Sequence, residues 1–120
     1  YYIENKDKLK GLPIVNPKTN QPVSPSAETV MDGTYQPLAR PIFIYVNAKS
    51  VQRPEVKEFI EYYMKNSEAL IREVKYVPLP AKAYAYNMEV IRKMVLGTKF
   101  EGENKVGLTI DELMKLEAKL

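Results

Sequence analysis

Arg40 is the side chain in this sequence best suited to holding an anion. It sits between Pro37 and Pro41 in the stretch Gly33–Val46, GTYQPLARPIFIYV. A guanidinium held at a stiff position offers planar, permanently charged donors. The same group serves equally in a structural ion pair or in hydrogen bonds to loop carbonyls, and that plainer role is favoured. Ser24, Ser26 and Thr29 are the nearest approach to a hydroxyl cluster, and their expected work is to cap a helix. Tyr35 reads as a packing aromatic rather than a ligand contact. Tyr62, Tyr63, Tyr84 and Tyr86 fall on helical patterns, where tyrosine packs its ring and leaves its hydroxyl wet. Lys75, Lys82, Arg92 and Lys93 alternate with these aromatics without gathering on one face, so no nucleic-acid platform is expected. Glu58 with Glu61, and Asp111 with Glu112, lie on exposed helix faces and read as solvated charge rather than acid–base pairs. The chain has no His and no Cys, which removes the commonest general base, the commonest metal ligand and all thiolate chemistry. No catalytic constellation, no metal site and no cofactor is expected.

The elements that would position these groups follow from periodicity and punctuation. The run Ile42–Val46 is apolar or aromatic throughout and does not alternate. That pattern predicts a strand covered on both faces, in a parallel or mixed sheet flanked by helices. Pro37 and Pro41 fix their own φ and push the residues before them toward extended conformations. Gln36–Pro41 is therefore predicted to be a stiff, extended connector feeding that strand. Before it, Tyr1–Leu9 reads as a helix with Gly11 as its stop, Leu12–Val15 as a short strand and Asn16–Pro22 as a turn-rich loop. Ser24-Pro25 suggests an N-cap with Pro at the first helical position, opening one or two turns over Ala27–Met31 that Asp32-Gly33 ends.

After the strand, Arg53-Pro54 opens an amphipathic helix to about Asn66, with Val56, Phe59, Ile60 and Tyr63 as its apolar stripe. Ser67 is expected to cap a second set of turns over Glu68–Glu73. Tyr76–Leu79 should be extended. The longest helical pattern is Lys82–Leu96, with Tyr84, Met88, Ile91 and Val95 on one face and Gly97 as its stop. The tail is a loop from Phe100 to Gly107 and then a helix. Thr109 and Glu112 match a capping box at its start, with Leu113, Leu116 and Leu120 as a narrow stripe.

At 120 residues the chain has the length of one domain. Its 18 basic and 15 acidic residues give a net charge of +3, too small and too dispersed to indicate nucleic acid. No apolar run approaches the roughly 20 residues of a membrane span.

The segment TYQPLARPIFIYV resembles the Y-x-P-L-S-R-P-L-F-I-Y-V segment of the phosphate-binding proteins that serve ABC phosphate importers, periplasmic binding proteins of type II. Tyr2–Lys10, YIENKDKLK, is similar to the helix end that precedes that segment, and Tyr76–Pro80, YVPLP, to the late part of the family's chain. One departure is Ala39, where the family often has Ser. The resemblance covers roughly residues 1–97 and implies an α/β class: a partial periplasmic-binding-protein-like fold with mixed-sheet strands flanked by helices. It divides the chain into a C-terminal portion of such a domain, 1–97, and a loop with a terminal helix, 98–120. It implies a binding component rather than an enzyme. The ligand is inorganic phosphate, held in the intact protein between two lobes, and the partner is a membrane permease in a periplasmic or extracellular setting. No signal peptide stands before Tyr1, and the expectation is that the chain is a fragment of a longer exported protein.

A dehydrated phosphate needs many donors from hydroxyls, helix N-termini and Arg. The family carries those mostly upstream of the matched part, so no phosphate-contacting residue transfers here beyond Arg40 as a candidate. Tyr35, Gln36, Pro37, Leu38 and Pro41 are the expected hinge or inter-lobe positions. Unpaired sheet edges would favour a homo-oligomer. Two other readings stay open: a stand-alone α/β interaction or structural module with no small-molecule ligand and, weakest, an enzyme of phosphate-ester chemistry.

Overall fold

The computed structural model describes residues 1–100 and 107–116. Among them the class is α/β, helices with a small sheet. The sheet is one antiparallel pair, β1 (Ile14–Val15) and β2 (Pro22–Val23), with Ile14 opposite Val23 and Val15 opposite Pro22. Asn16 builds the loop between them. Its side-chain oxygen accepts from the backbone N–H of Lys18 at 2.8 Å and of Thr19 at 3.3 Å, and its amide donates to the Thr34 carbonyl at 2.8 Å. A buried Asn that bonds its own turn closes a hairpin, so the segment expected as a plain loop contributes a strand at its far end.

The first residues form only a short 3-10 helix, Tyr2–Asn5. Gly11 is not its stop. A Cβ at Gly11 would come within 2.6 Å of the Tyr2 ring and 2.9 Å of Pro25. The residue is small because two rings close over it. Helix α1 (Ala27–Met31) is capped two residues later than expected, by Ser26 rather than Ser24. Ser26 Oγ accepts from the Thr29 N–H at 3.1 Å, and Thr29 Oγ1 accepts from the Ser26 N–H at 2.9 Å. Gly33, at φ 78°, ends the segment in the left-handed region where a Cβ is unwelcome.

Helices α2 (Pro54–Glu73) and α3 (Ala81–Arg92) pack against each other and hold most of the buried apolar residues. Pro54 stands at the first position of α2, where its missing N–H costs nothing. The helix does not break at Asn66. Ser67 is inside it, its hydroxyl donating to the Tyr63 carbonyl at 2.5 Å, so it satisfies itself within the helix instead of capping a new one. The buried face is also rotated from the expected stripe. Ile60, Met64 and Ser67 are buried, whereas Phe59 is 62% exposed.

Both helices end with a non-glycine residue in the left-handed region, Lys75 at φ 65° and Met94 at φ 50°. In each case the next N–H reaches back five residues, Tyr76 to the Ile71 carbonyl at 2.9 Å and Val95 to the Val90 carbonyl at 3.1 Å. This is the Schellman closure that glycine usually supplies. Gly97 is thus not the stop of α3, which ends before it. Between the helices Tyr76–Pro80 has no regular secondary structure, and the Tyr84 hydroxyl accepts from the Leu79 N–H at 2.9 Å. Burial of that hydroxyl pushes its pKa up, since the phenolate would be poorly solvated.

The largest difference between expectation and structure is Ile42–Val46. It forms no strand. Ile42 is 79% exposed, Phe43 43%, Ile44 44% and Tyr45 82%. A strand needs neighbours to bond its backbone and layers to cover its faces, and the described residues provide neither.

Candidate hinge and ligand site

The connector that was expected to be extended is a tight turn at its start. The Gln36–Pro37 peptide is cis. The Tyr35 N–H donates to the Thr29 carbonyl at 2.8 Å, and the Ala39 N–H to the Tyr35 carbonyl at 2.7 Å. Gln36 is buried, and its amide donates to the Ala39 carbonyl at 3.0 Å. The Tyr35 hydroxyl reaches the Leu12 carbonyl at 3.4 Å. These bonds fold Tyr35–Ala39 onto the hairpin and α1 rather than stretching it away from them. Leu38 is exposed and Pro41 half-buried. From Ala39 to Asn47 the chain has no regular structure, and a 3-10 helix at Ser50–Gln52 then leads into α2.

Arg40 is exposed. Among the described residues it takes part in no salt bridge and no side-chain hydrogen bond. Ser26 and Thr29 are occupied with each other at the start of α1. The α2–α3 face carries an open groove of about 450 Å³, lined among others by Glu61, Lys65, Glu68, Tyr84 and Arg92. Its two carboxylates offset its two cations, and Arg92 is already paired with Glu89 at 3.2 Å. A phosphate dianion requires a surplus of donors and positive charge, which this groove does not offer. No cluster of His, Cys, Asp or Glu among the described residues could hold a metal. Within those residues no helix is long and apolar enough to cross a membrane.

The tail makes contacts that periodicity could not reveal. Helix α4 (Ile110–Lys115) starts with the expected capping box: Thr109 Oγ1 accepts from the Glu112 N–H at 3.2 Å, and Glu112 Oε2 accepts from the Thr109 N–H at 2.8 Å. That backbone donor, followed by the Thr109 hydroxyl, holds the Glu112 carboxyl below its ordinary range. Leu113 and Leu116 are half-buried, and Leu120 lies outside the described residues. At the other end of α4, Lys99 Nζ donates to the carbonyls of Leu113 at 3.1 Å, Met114 at 3.1 Å and Leu116 at 2.9 Å. It also bonds the Tyr86 hydroxyl at 2.6 Å. An ammonium at the C-terminal carbonyls of a helix meets both their lone pairs and the negative end of the helix dipole.

Asp111 pairs with Lys82 of α3, and Glu112 lies 3.6 Å from Lys18 in the hairpin loop. Thr109 Cα is 3.6 Å from where a Gly33 Cβ would stand, and Phe100 meets Phe43 edge-on with ring centres 5.0 Å apart. The tail is therefore a strap that touches the hairpin, the connector and α3. Only its capping box was legible beforehand. Lys99 gave no signal, because the carbonyls it bonds lie 14 to 17 residues away.

Over 117 residues, 98% of its length, the chain is 46% identical to protein SphX of Synechococcus elongatus. It is 43% identical over 119 residues to protein SphX of a Synechocystis strain. Over 96 residues it is 32% identical to the phosphate-binding protein PstS of Staphylococcus aureus. The sequence is similar to that of a phosphate-binding protein. The chain spans about a third of the length of these relatives: 34% and 35% of the two SphX proteins and 29% of PstS. No family model matches the chain. No solved structure matches it either.

Proposed function

We propose that this chain is the C-terminal portion of the solute-binding component of an ABC-type phosphate importer. In the whole protein inorganic phosphate bridges two lobes, and a membrane permease tells the closed form from the open one. The protein is a binding component, not an enzyme, working in the periplasm or at the outer cell surface. Residues 1–97 belong to the phosphate-binding-protein-like domain, and 98–120 add the loop and terminal helix. The observation that carries this reading is the 32% identity over 96 residues to a protein named for phosphate binding. The match to about a third of two SphX proteins agrees with the chain's being a portion of a longer protein.

The connector fits the role of a hinge or inter-lobe passage. Tyr35, Gln36 and Pro37 are fixed in a turn on one side, and Ala39–Asn47 has no regular structure on the other. Arg40 is exposed there and available to an anion or to a second lobe. Most ligand donors are expected outside these residues, since Ser26 and Thr29 are spent on capping.

Calorimetric titration with phosphate tests the reading, on this chain and on the chain extended by its natural flanking sequence. Binding by the longer form alone is the expected result. Binding by neither would favour a stand-alone interaction module.

A further inference from the structure

The hairpin and α1 come before the connector in the chain, and α2 and α3 come after it. Among the described elements β1 pairs with β2, α2 packs on α3, and α3 packs on α4; no comparable packing joins the hairpin or α1 to α2 or α3. Helix α4 meets both sides. Asp111 pairs with Lys82 on α3, and its neighbour Glu112 stands 3.6 Å from Lys18 in the hairpin loop. Consecutive residues of a helix diverge by about 100°, so one turn reaches two ways. Thr109 Cα lies against Gly33, just ahead of the connector. A Cβ at Gly107 would stand 3.7 Å from Lys18 Cε.

We infer that α4 is a latch across the connector, anchored on α3 and releasable from the hairpin, which limits how far the two sides of the chain separate. Its two attachments differ in kind. On the α3 side, Lys99 donates to three carbonyls at the end of α4 and to the Tyr86 hydroxyl, and its ammonium stands 4.3 Å from the centre of the Tyr86 ring. These bonds are partly buried, and charged donors out of water hold firmly. On the hairpin side, the Lys18 and Glu112 side chains are 55% and 47% exposed. An exposed pair contributes little and is screened by salt. When the sides part, the break therefore falls at the hairpin, and α4 stays with α3.

A second ion pair among the described residues spans the connector, Glu4 with Lys75 at 2.9 Å. It joins two exposed side chains and docks no element. The latch rests on the connector being a passage between two parts, as proposed above, and not on which ligand those parts hold.

The chain has no Cys, so Gln21→Cys in the hairpin and Glu58→Cys on α2, both exposed, place two spin labels uniquely. Every sample also carries Glu4→Gln, which removes the other tie. Pulsed electron resonance then reads the share of molecules in which the labels have moved apart, and amide exchange in α2 shows that each variant is folded. Lys99→Met should raise the separated share by about tenfold or more, as charge-assisted hydrogen bonds are lost. Lys18→Glu should raise it by up to about fivefold, the worth of one exposed ion pair, and Lys18→Arg should leave it unchanged. Glu112→Gln, which preserves the capping box, should act like Lys18→Glu. High salt should reproduce the effect of Lys18→Glu and not that of Lys99→Met. Unchanged distances in Lys99→Met while the α4 amides exchange fast would overturn the inference, since α4 would be loose and the two sides still together. So would α4 protection that survives Lys99→Met, since the anchor would then lie elsewhere. Failure of the longer chain to bind phosphate, with these shifts observed, would count against the proposed function and leave the latch in place.

Discussion

The α2–α3 pair is amphipathic and the Ile42–Val46 segment is apolar throughout, yet it is the less apolar region that buries its side chains. Ile60 and Met64 are 5% and 9% exposed, whereas Ile42 and Tyr45 are 79% and 82%. A helix bonds its own backbone, so it needs only one apolar neighbour to bury its stripe, and α3 arrives eight residues after α2 ends. A strand bonds nothing by itself. It waits for backbone from elsewhere in the sequence. Apolar side chains are therefore satisfied locally in one region and left open in the other.

The sharpest way to break this comparison is to truncate one residue from each region. In this chain Ile60→Ala should cost about 2–5 kcal/mol, the range for emptying a buried aliphatic site. Ile44→Ala should change stability by no more than about 0.5 kcal/mol, as at an exposed position. Urea denaturation followed by circular dichroism measures both. A large loss at Ile44 would mean that the segment is already covered in the isolated chain.

The strap offers a second contrast, since its docking depends on one cation. Lys99→Met keeps most of the aliphatic stem and removes the donors to three carbonyls and to Tyr86. Exchange protection in α4 should fall by the equivalent of about 1.5–3 kcal/mol, the worth of hydrogen bonds from a charged group. Protection in α2 should hold. Equal loss in both helices would make the tail part of a single cooperative core.

The smallest effect expected is with pH. Asp111 is held below its ordinary value of 3.8 by the hydrogen bond and charge of Lys82, and Glu112 below 4.5 chiefly by the Thr109 backbone N–H. Carboxyls with depressed folded values stabilise fully above the ordinary range and lose that contribution as pH falls through the depressed values. The start of α4 should therefore fray below about pH 4, while the buried face of α2, which carries no carboxylate, keeps its protection. Amide shifts of Thr109–Lys115 in an acid titration would show it, and both carboxyls are exposed enough that added salt should shrink the Asp111 part.

How much of this was readable in the residues depended on the range of the interaction. Thr109 and Glu112 announced their capping box because both partners lie within one turn. Pro54 marked the start of α2 for the same reason. The α1 cap was read two residues early, since Ser24 and Ser26 both precede a helix and only the bond to Thr29 chooses between them. Ser67 was read as a boundary because its hydroxyl can cap a helix or bond back within one. The ends of α2 and α3 were hidden, because Lys75 and Met94 adopt a conformation that their side chains do not advertise. The turn at Gln36 was hidden too. Two prolines predict stiffness, but the direction of the chain is set by Gln36 folding onto Ala39 and by Tyr35 bonding Thr29 and Leu12.

By itself the sequence determined what is local: an α/β class, helices where apolar residues recur every three to four positions, and caps one turn long. It also determined that Ile42–Val46 carries an apolar surface on two faces. The tertiary structure alone decided that this surface stands bare, that Arg40 is exposed, and that Lys99 pins a distant helix end. Those outcomes turn on which backbone and side-chain groups meet across tens of residues, and short-range periodicity holds no record of such meetings.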